Sequence, residues 1–449
     1  MGNDFYDLRM SQKFDWQSED EDSWDDLMPS EVEQLKSSGK KRWLLAFFVV
    51  LFFLSGAVVA FRQIKDYTLD AEKIAENDVL SSNNLVQAAA NDADGELLAT
   101  VLSGRDPDWT RTQLSLVNGG LFYEREPFGL NWQPQASPIE VKVTVSPDFR
   151  GAEVTARHEY SLVNEEPSQF ITLDHSVVYR RSEDRWLMSP PFGEYWGELI
   201  TVNGRFLSLT FPSRDEAIGR RLAADLEGLL SAACSTIEGL ECNSATHLFV
   251  KLDTDPQSMI DVAEVDARFR VTQDLLLPTP TLVGIPTDEG AYRAIYRGYA
   301  EKVLSTFLGQ VAGWHCCDHL LFYQALLDMQ LAKLGLSPWP LDESHYQQLL
   351  DGESELSSYL WASEASASEL LAWPDAWQAY VLVEYIVAEW AEVPPIEMQR
   401  RLSSFSYFPE WLQSVSREGV EMSFAEGWRQ FLEHRVNETQ YMASHTRLE

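Results

Sequence analysis

Hydrophobic and polar positions change rhythm along the chain, and each rhythm predicts a different element. Trp43–Phe61 (WLLAFFVVLFFLSGAVVAF) is apolar on every helical face and carries no charge. At about 1.5 Å per residue it is long enough for a membrane core, which predicts a transmembrane helix. From Leu69 to about Leu102, apolar residues at Ile74, Val79, Leu80, Leu85, Val86, Leu97, Leu98 and Val101 follow helical spacing. Ile139–Val145 and Ala152–Leu162 then alternate with period two, and Phe170–Arg180 and Arg185–Met188 continue as strands. After Leu199, Phe206–Phe211 reads as a strand and Arg214–Cys234 as an amphipathic helix. Strands at His247–Leu252 and Asp274–Leu277 follow. The rest is mainly helical: Tyr292–Leu308, His315–Leu334, Leu356–Leu371, Ala376–Trp390, Glu397–Leu402, Phe408–Val415 and Phe424–His434.

Charge turns the apolar run into a topology. Lys40, Lys41 and Arg42 precede it and Arg62 and Lys65 follow, a bias that puts the N-terminus in the cytoplasm. Residues 1–35 hold eleven Asp or Glu against two Lys or Arg, so the leading tail reads as disordered, with Ser30 and Glu33 as the cap of a short helix. A signal peptide would have a short basic leader, and here 42 residues precede the apolar core. The expectation is therefore a single-pass membrane protein whose C-terminal domains are extracytoplasmic. The 70 acidic residues outnumber the 35 basic ones, for a net charge of −35, a field that repels phosphate backbones and argues against nucleic acid as a partner. Cys234 and Cys242 flank a short polar loop and are a candidate disulfide, whereas the adjacent Cys316 and Cys317 read as buried thiols.

The helix-then-meander order up to YRRSEDRWLMSPPFGEYWGE resembles the cystatin-like cone of nuclear-transport-factor-like domains. On its strands His158 and His175 lack a recognisable acid partner and read as structural. The phrases FLSLTFPSRDEAIGRRLAADLEGLLSAAC, THLFVKLDTDPQSM and LPTPTLVGIPTDEGAYRAIYRGYA, with the later DAWQAYVLVEYIVAEW and FAEGWRQFLEHR, resemble the peptidase MA-like family of gluzincin metallopeptidases. That likeness covers about residues 199–435. It implies a zinc-binding H-E-x-x-H helix, with a glutamate from the next helix completing the site.

The helix at the expected place, AYRAIYRGYAEKVLSTFL, contains no histidine: Tyr296, Tyr299 and Val303 stand in the ligand zone, with Glu301 the remaining acid. Two imidazoles four residues apart are what grips zinc from one helix face, so the departure implies a pseudo-metallopeptidase without a cofactor. A second pattern stands against that. His315-Cys316-Cys317-Asp318-His319 echoes the inverted zincin motif, with Asp318 as the catalytic acid and Glu384 as a third zinc ligand beside His315 and His319.

The chain thus reads as an α+β protein: an acidic tail (1–39), a transmembrane helix (43–61), a cone-like α+β roll (66–198), a degenerate peptidase-like domain (199–435) with a mainly helical C-terminal half, and a flexible tail (436–449). The function expected is binding or scaffolding of an unknown protein or peptide ligand. The alternatives are an active zinc peptidase using His315 and His319, and a transmembrane regulator whose acidic tail binds a cytoplasmic partner such as a sigma factor.

Overall fold

The computed structural model describes residues 39–133, 138–162, 170–243, 246–263, 274–312, 319–336, 341–352, 376–417 and 423–446. The acidic segment 1–35 with its Ser30 and Glu33 cap, the helix expected at 356–371, and His315, Cys316, Cys317 and Asp318 lie outside them. The chain divides into two compact units, Met1–Thr68 and Leu69–Glu449.

The first described element corrects the topology. Trp43–Phe61 is the opening stretch of a 53-residue helix, α1 (Gly39–Asn91), which runs on without a break through Arg62, Lys65, Asp66, Asp70, Glu72 and Lys73. Among the described residues no helix is long and apolar enough to cross a membrane. The transmembrane helix expected at 43–61 is overturned. The single-pass anchoring, the cytoplasmic N-terminus and the extracytoplasmic placement of the later domains fall with it. The apolar run is only one part of a longer helix that continues through charged positions.

In the second unit, the later turns of α1 present Ala75, Val79, Val86 and Ala89 at helical spacing to a sheet face bearing Ala152, Val154, Tyr179, Trp186 and Met188. Asn83, buried among these, accepts from the Tyr179 hydroxyl at 2.9 Å. α1 stops at Asn91, and Asp94 caps α2 (Gly95–Val101) by accepting from the Leu97 amide at 2.9 Å. Asp106 does the same for α3 (Pro107–Asn118), whose first residue is proline.

The architecture is mixed α+β, built on two sheets. In the first, β1 (Leu130–Trp132), β3 (Gly151–Leu162) and β4 (Phe170–Ser182) are neighbours, β2 (Glu140–Val145) pairs β3, and β5 (Arg185–Met188) pairs β4, all antiparallel. β2, β3, β4 and β5 fall where the sequence rhythm puts strands, whereas the short β1 is an addition. A late segment, β10 (Ile285–Pro286), also joins β4, opposite Asp174 and Leu173.

The second sheet runs β6 (Leu199–Asn203), β7 (Leu207–Pro212), β8 (Leu248–Asp253), β9 (Asp274–Pro278). Only the β6–β7 pair is antiparallel, and β7, β8 and β9 run parallel. The crossover between β7 and β8 is α5 (Glu216–Thr236), whose Leu222, Leu226, Leu229 and Leu230 enter the core. Cys234, at its end, is bonded to Cys242, with 5.8 Å between Cα atoms. α6 (Gln257–Ala263) follows β8, and the one-turn α7 (Pro280–Val283) separates β9 from β10. α8 (Glu289–Ala312) and α9 (Leu320–Lys333) begin the helical half, with Phe307, Leu308, Phe322 and Leu326 buried in the same core.

Candidate binding cleft

The parallel strands set the location. In an open α/β sheet, side chains and loops at the carboxyl ends of the strands are free to form a crevice. Here three such ends are tied together. Asp215, 3 % exposed at the end of β7, accepts from the hydroxyls of Thr279 and Thr281, the latter at 2.6 Å. The Thr279 amide in turn donates to the Asp253 carbonyl at the end of β8, at 2.9 Å. Beside this clamp opens a small cleft of about 90 Å³. Thr254, Pro256 and Met259 line it from the β8 side, Thr281 and Leu282 from the β9 side, and Trp109, Gln113 and Leu116 from α3. The turn after α3 and the segment Met188–Trp196 contribute further lining, and the wall opposite is β4, from His175 to Val178.

That wall is an interrupted sheet edge. On β4, odd-numbered residues turn their backbone toward β3, as the Arg181 amide shows by donating to the Arg150 carbonyl. Even-numbered residues face the other way: Val178 O accepts from Ser189 N at 2.9 Å, and Thr172 O from Thr287 N at 3.4 Å. Ser176 therefore turns its amide and carbonyl to the cleft. β5 cannot reach it, because the register that pairs Tyr179 with Met188 would place Pro191 opposite Ser176, and Pro190 and Pro191 have no N–H to give. β10 cannot reach it either, because the chain before Ile285 is turned aside in α7. Gly284 makes the exit with φ of 126°, and a Cβ there would sit 2.9 Å from the His175 ring. Only glycine satisfies both conditions.

Under the cleft lies a buried polar cluster. Arg125, 3 % exposed, spends its donors on carbonyls. Nε donates to Val283 O (2.6 Å), one terminal nitrogen to Glu124 O (2.6 Å) and Phe122 O (3.2 Å), and the other to Leu282 O (3.0 Å). That last nitrogen also lies 3.4 Å from His175 Nδ1. The Tyr160 hydroxyl donates to Tyr123 O at 2.9 Å and lies 2.8 Å from His175 Nε2. Having given away its one proton, that hydroxyl accepts from His175, so Nε2 carries the hydrogen and Nδ1 offers its lone pair to Arg125. His175 is thus held neutral, and burial, then the Arg125 charge, then His158 push its pKa well below the ordinary value. His158, its ring centroid 4.3 Å from that of Tyr123, is pushed down to about 4 by burial and then by Arg125. Its buried Nε2 finds no partner among the described residues.

Gln113 reaches the cleft from α3. It is 6 % exposed overall and lines the cleft, where its amide remains open to solvent. Ser189, also in the wall, donates to Leu187 O at 3.1 Å.

The residues singled out for zinc chemistry lie elsewhere, and neither His319 nor Glu384 lines this cleft. His319 precedes α9 with φ of 56°, and its Nε2 donates to the Phe405 carbonyl at 2.7 Å. Glu384, on the helix Ala376–Tyr385, is paired with Arg435 and accepts from the Tyr346 hydroxyl at 3.3 Å. Burial raises its pKa against the opposing pull of Arg435. On α8, Tyr299 is buried and donates to Pro278 O at 2.7 Å, Val303 is fully buried, and Tyr296 stacks on Tyr292.

No family model matches the chain, and neither a curated protein nor a solved structure matches it.

Proposed function

We propose that this chain is a non-catalytic ligand-binding protein, and that its second half is a peptidase-MA-like fold put to binding. The observation that carries the reading is the make-up of the cleft. It has apolar walls and a stretch of β4 that neither β5 nor β10 pairs, while the groups with acid–base or nucleophilic potential beside it are consumed by internal partners. Arg125 is wrapped in carbonyls and His175 is fixed between Arg125 and Tyr160. The Asp215 carboxylate is shared by two threonine hydroxyls, and the Ser189 hydroxyl faces a carbonyl rather than a base. Catalysis by an activated nucleophile needs a base free to take its proton, and among the described residues that line the cleft these arrangements leave none. A concave, mainly apolar site with a few convergent polar groups is the usual form of a binding pocket.

The peptidase-like part of the reading is supported by a mixed sheet leading into α8 and a helical half, with Tyr299 and Val303 closing the core where that family would present imidazoles. The test is a titration of the full chain with the apolar fluorophore N-phenyl-1-naphthylamine, alongside a casein-cleavage assay with and without added zinc. Saturable binding at one site, weakened in Trp109→Ala and Trp196→Ala, with no casein cleavage, is the expected result. Absence of saturable binding, or zinc-dependent cleavage, overturns the proposal.

A further inference from the structure

We infer that the first sheet binds a phosphate-type dianion between Arg180 on β4 and Arg105 in the turn before α3. Neither arginine lines the cleft, so this site stands apart from the binding reading above.

Arginines meet carboxylates readily in a chain with 70 Asp and Glu against 35 Lys and Arg. They do so on the face of the sheet that carries Arg180. Arg157 on β3 is paired with Glu140 and Asp174. Arg214 is paired with Glu153 while its guanidinium lies 3.7 Å over the Tyr195 ring. Arg180 repeats that second arrangement without the acid. Its guanidinium lies 3.6 Å over the ring of Phe192, but it has no hydrogen-bond or ion-pair partner among the described residues, and its Nε is buried unpaired. The register supplies the reason. β3 sets Glu153 opposite Val178, and the residue opposite Arg180 is Gly151, which has no side chain to offer. A Cβ at Gly151 would meet nothing closer than 3.6 Å, so the glycine leaves space there rather than relieving a clash.

Charge then sets the ligand. Burial, and after it the charge of Arg105, push the Arg180 pKa down, and no carboxylate pulls it back; Arg157, by contrast, is raised by Asp174. Arg105 is exposed and has no partner of its own among the described residues. Two guanidinium groups that feel each other's field without a counter-charge are balanced by one dianion. Phosphate oxygens suit the forked donors of both arginines at once, which the two oxygens of a carboxylate do not. The Phe192 ring holds the Arg180 fork in place before the ligand arrives, so little side-chain freedom is lost on binding. The net charge of −35 repels a polyanion, so the site suits a single phosphate group.

The probe is inorganic phosphate, titrated calorimetrically into the full chain at constant ionic strength and about pH 8, where it is a dianion, with phenyl phosphate and acetate as comparisons. We expect one site with a Kd of about 1 mM, the reach of two charge-assisted contacts, and acetate at least about tenfold weaker. Arg105→Ala should weaken phosphate by about tenfold or more and leave the urea midpoint unchanged, since that side chain holds nothing in the free protein. Gly151→Glu places an acid opposite Arg180, and should abolish phosphate binding while raising the urea midpoint. Phenyl phosphate binding as tightly as inorganic phosphate supports a phosphorylated group of a larger molecule, and its exclusion with inorganic phosphate retained supports the free ion. Absence of saturable phosphate binding overturns the inference, and so does acetate binding equal to that of phosphate. Unchanged phosphate affinity in Arg105→Ala overturns it too, whatever Gly151→Glu does.

Discussion

The buried His158–His175 pair makes the stability of the second unit depend on pH with a definite sign. Both rings are held neutral in the folded chain, His158 with its pKa lowered to about 4 and His175 well below its ordinary value of 6.5. The groups facing them are the Arg125 guanidinium, the Tyr123 and Tyr160 phenols, and each other. Unfolding releases both to the ordinary value, so below about pH 6.5 the unfolded chain binds protons that the folded chain refuses, and stability falls with pH. Once well below that point each histidine contributes about 1.4 kcal/mol per pH unit. Integrated from about pH 7 to about pH 5, the loss is about 1.8 kcal/mol for each ring and about 3.5 kcal/mol for the pair. Glu124, raised by burial, works in the opposite sense at lower pH, because its protonation favours the folded state. The assay is therefore a difference: urea unfolding of wild type, His158→Gln and His175→Gln across that window, comparing slopes rather than absolute stabilities. Each substitution should remove about half of the histidine contribution to the slope. If both variants keep the wild-type slope, the rings titrate alike in the folded and unfolded chain and the picture of a neutral, locked pair is wrong.

Arg125→Met removes the donor that joins the Glu124 and Phe122 carbonyls to those of Leu282 and Val283, and should cost about 3–5 kcal/mol in urea unfolding; a loss under about 1 kcal/mol would show that water replaces the guanidinium without penalty. Joint replacement of Cys234 and Cys242 by serine opens a small loop and should cost about 2.5 kcal/mol, read as a lowered urea midpoint in the absence of reductant. His319→Ala gives up both the bond to Phe405 O and a tolerated left-handed backbone, at about 2 kcal/mol, whereas His319→Asn keeps the backbone and should lose about half of that. An equal loss in the two variants would refute the backbone part of the argument.

Much of the scaffold was legible because it rests on periodicity. The alternation in Ala152–Leu162 and Phe170–Arg180 marks β3 and β4, the apolar stripe of Arg214–Cys234 marks α5, and the short apolar runs at His247–Leu252 and Asp274–Leu277 mark β8 and β9. The first helix was misjudged for a related reason. A window of apolar residues says nothing of where the element ends, and α1 runs on for thirty residues past Phe61, through charged positions, to Asn91. The zinc candidates were chosen by spacing along the chain, which does not reveal partners distant in sequence. Phe405 engages His319 and Arg435 engages Glu384.

The cleft was invisible for a deeper reason: it is made by what fails to happen at one strand. Pro190 and Pro191 were in plain view after β5, and Gly284 before β10, but each marks a boundary only on its own strand. That both boundaries fall against the same three residues of β4 depends on two registers, Tyr179 with Met188 and Asp174 with Ile285, set by segments about a hundred residues apart. Gln113 and Arg125, on α3 and in the turn after it, carry no motif at all. They acquire meaning only when α7 brings the Leu282 and Val283 carbonyls over Arg125, beside the cleft that Gln113 lines. A sheet edge left open in the interior of a fold, rather than at its rim, is protected from indiscriminate pairing by the walls around it.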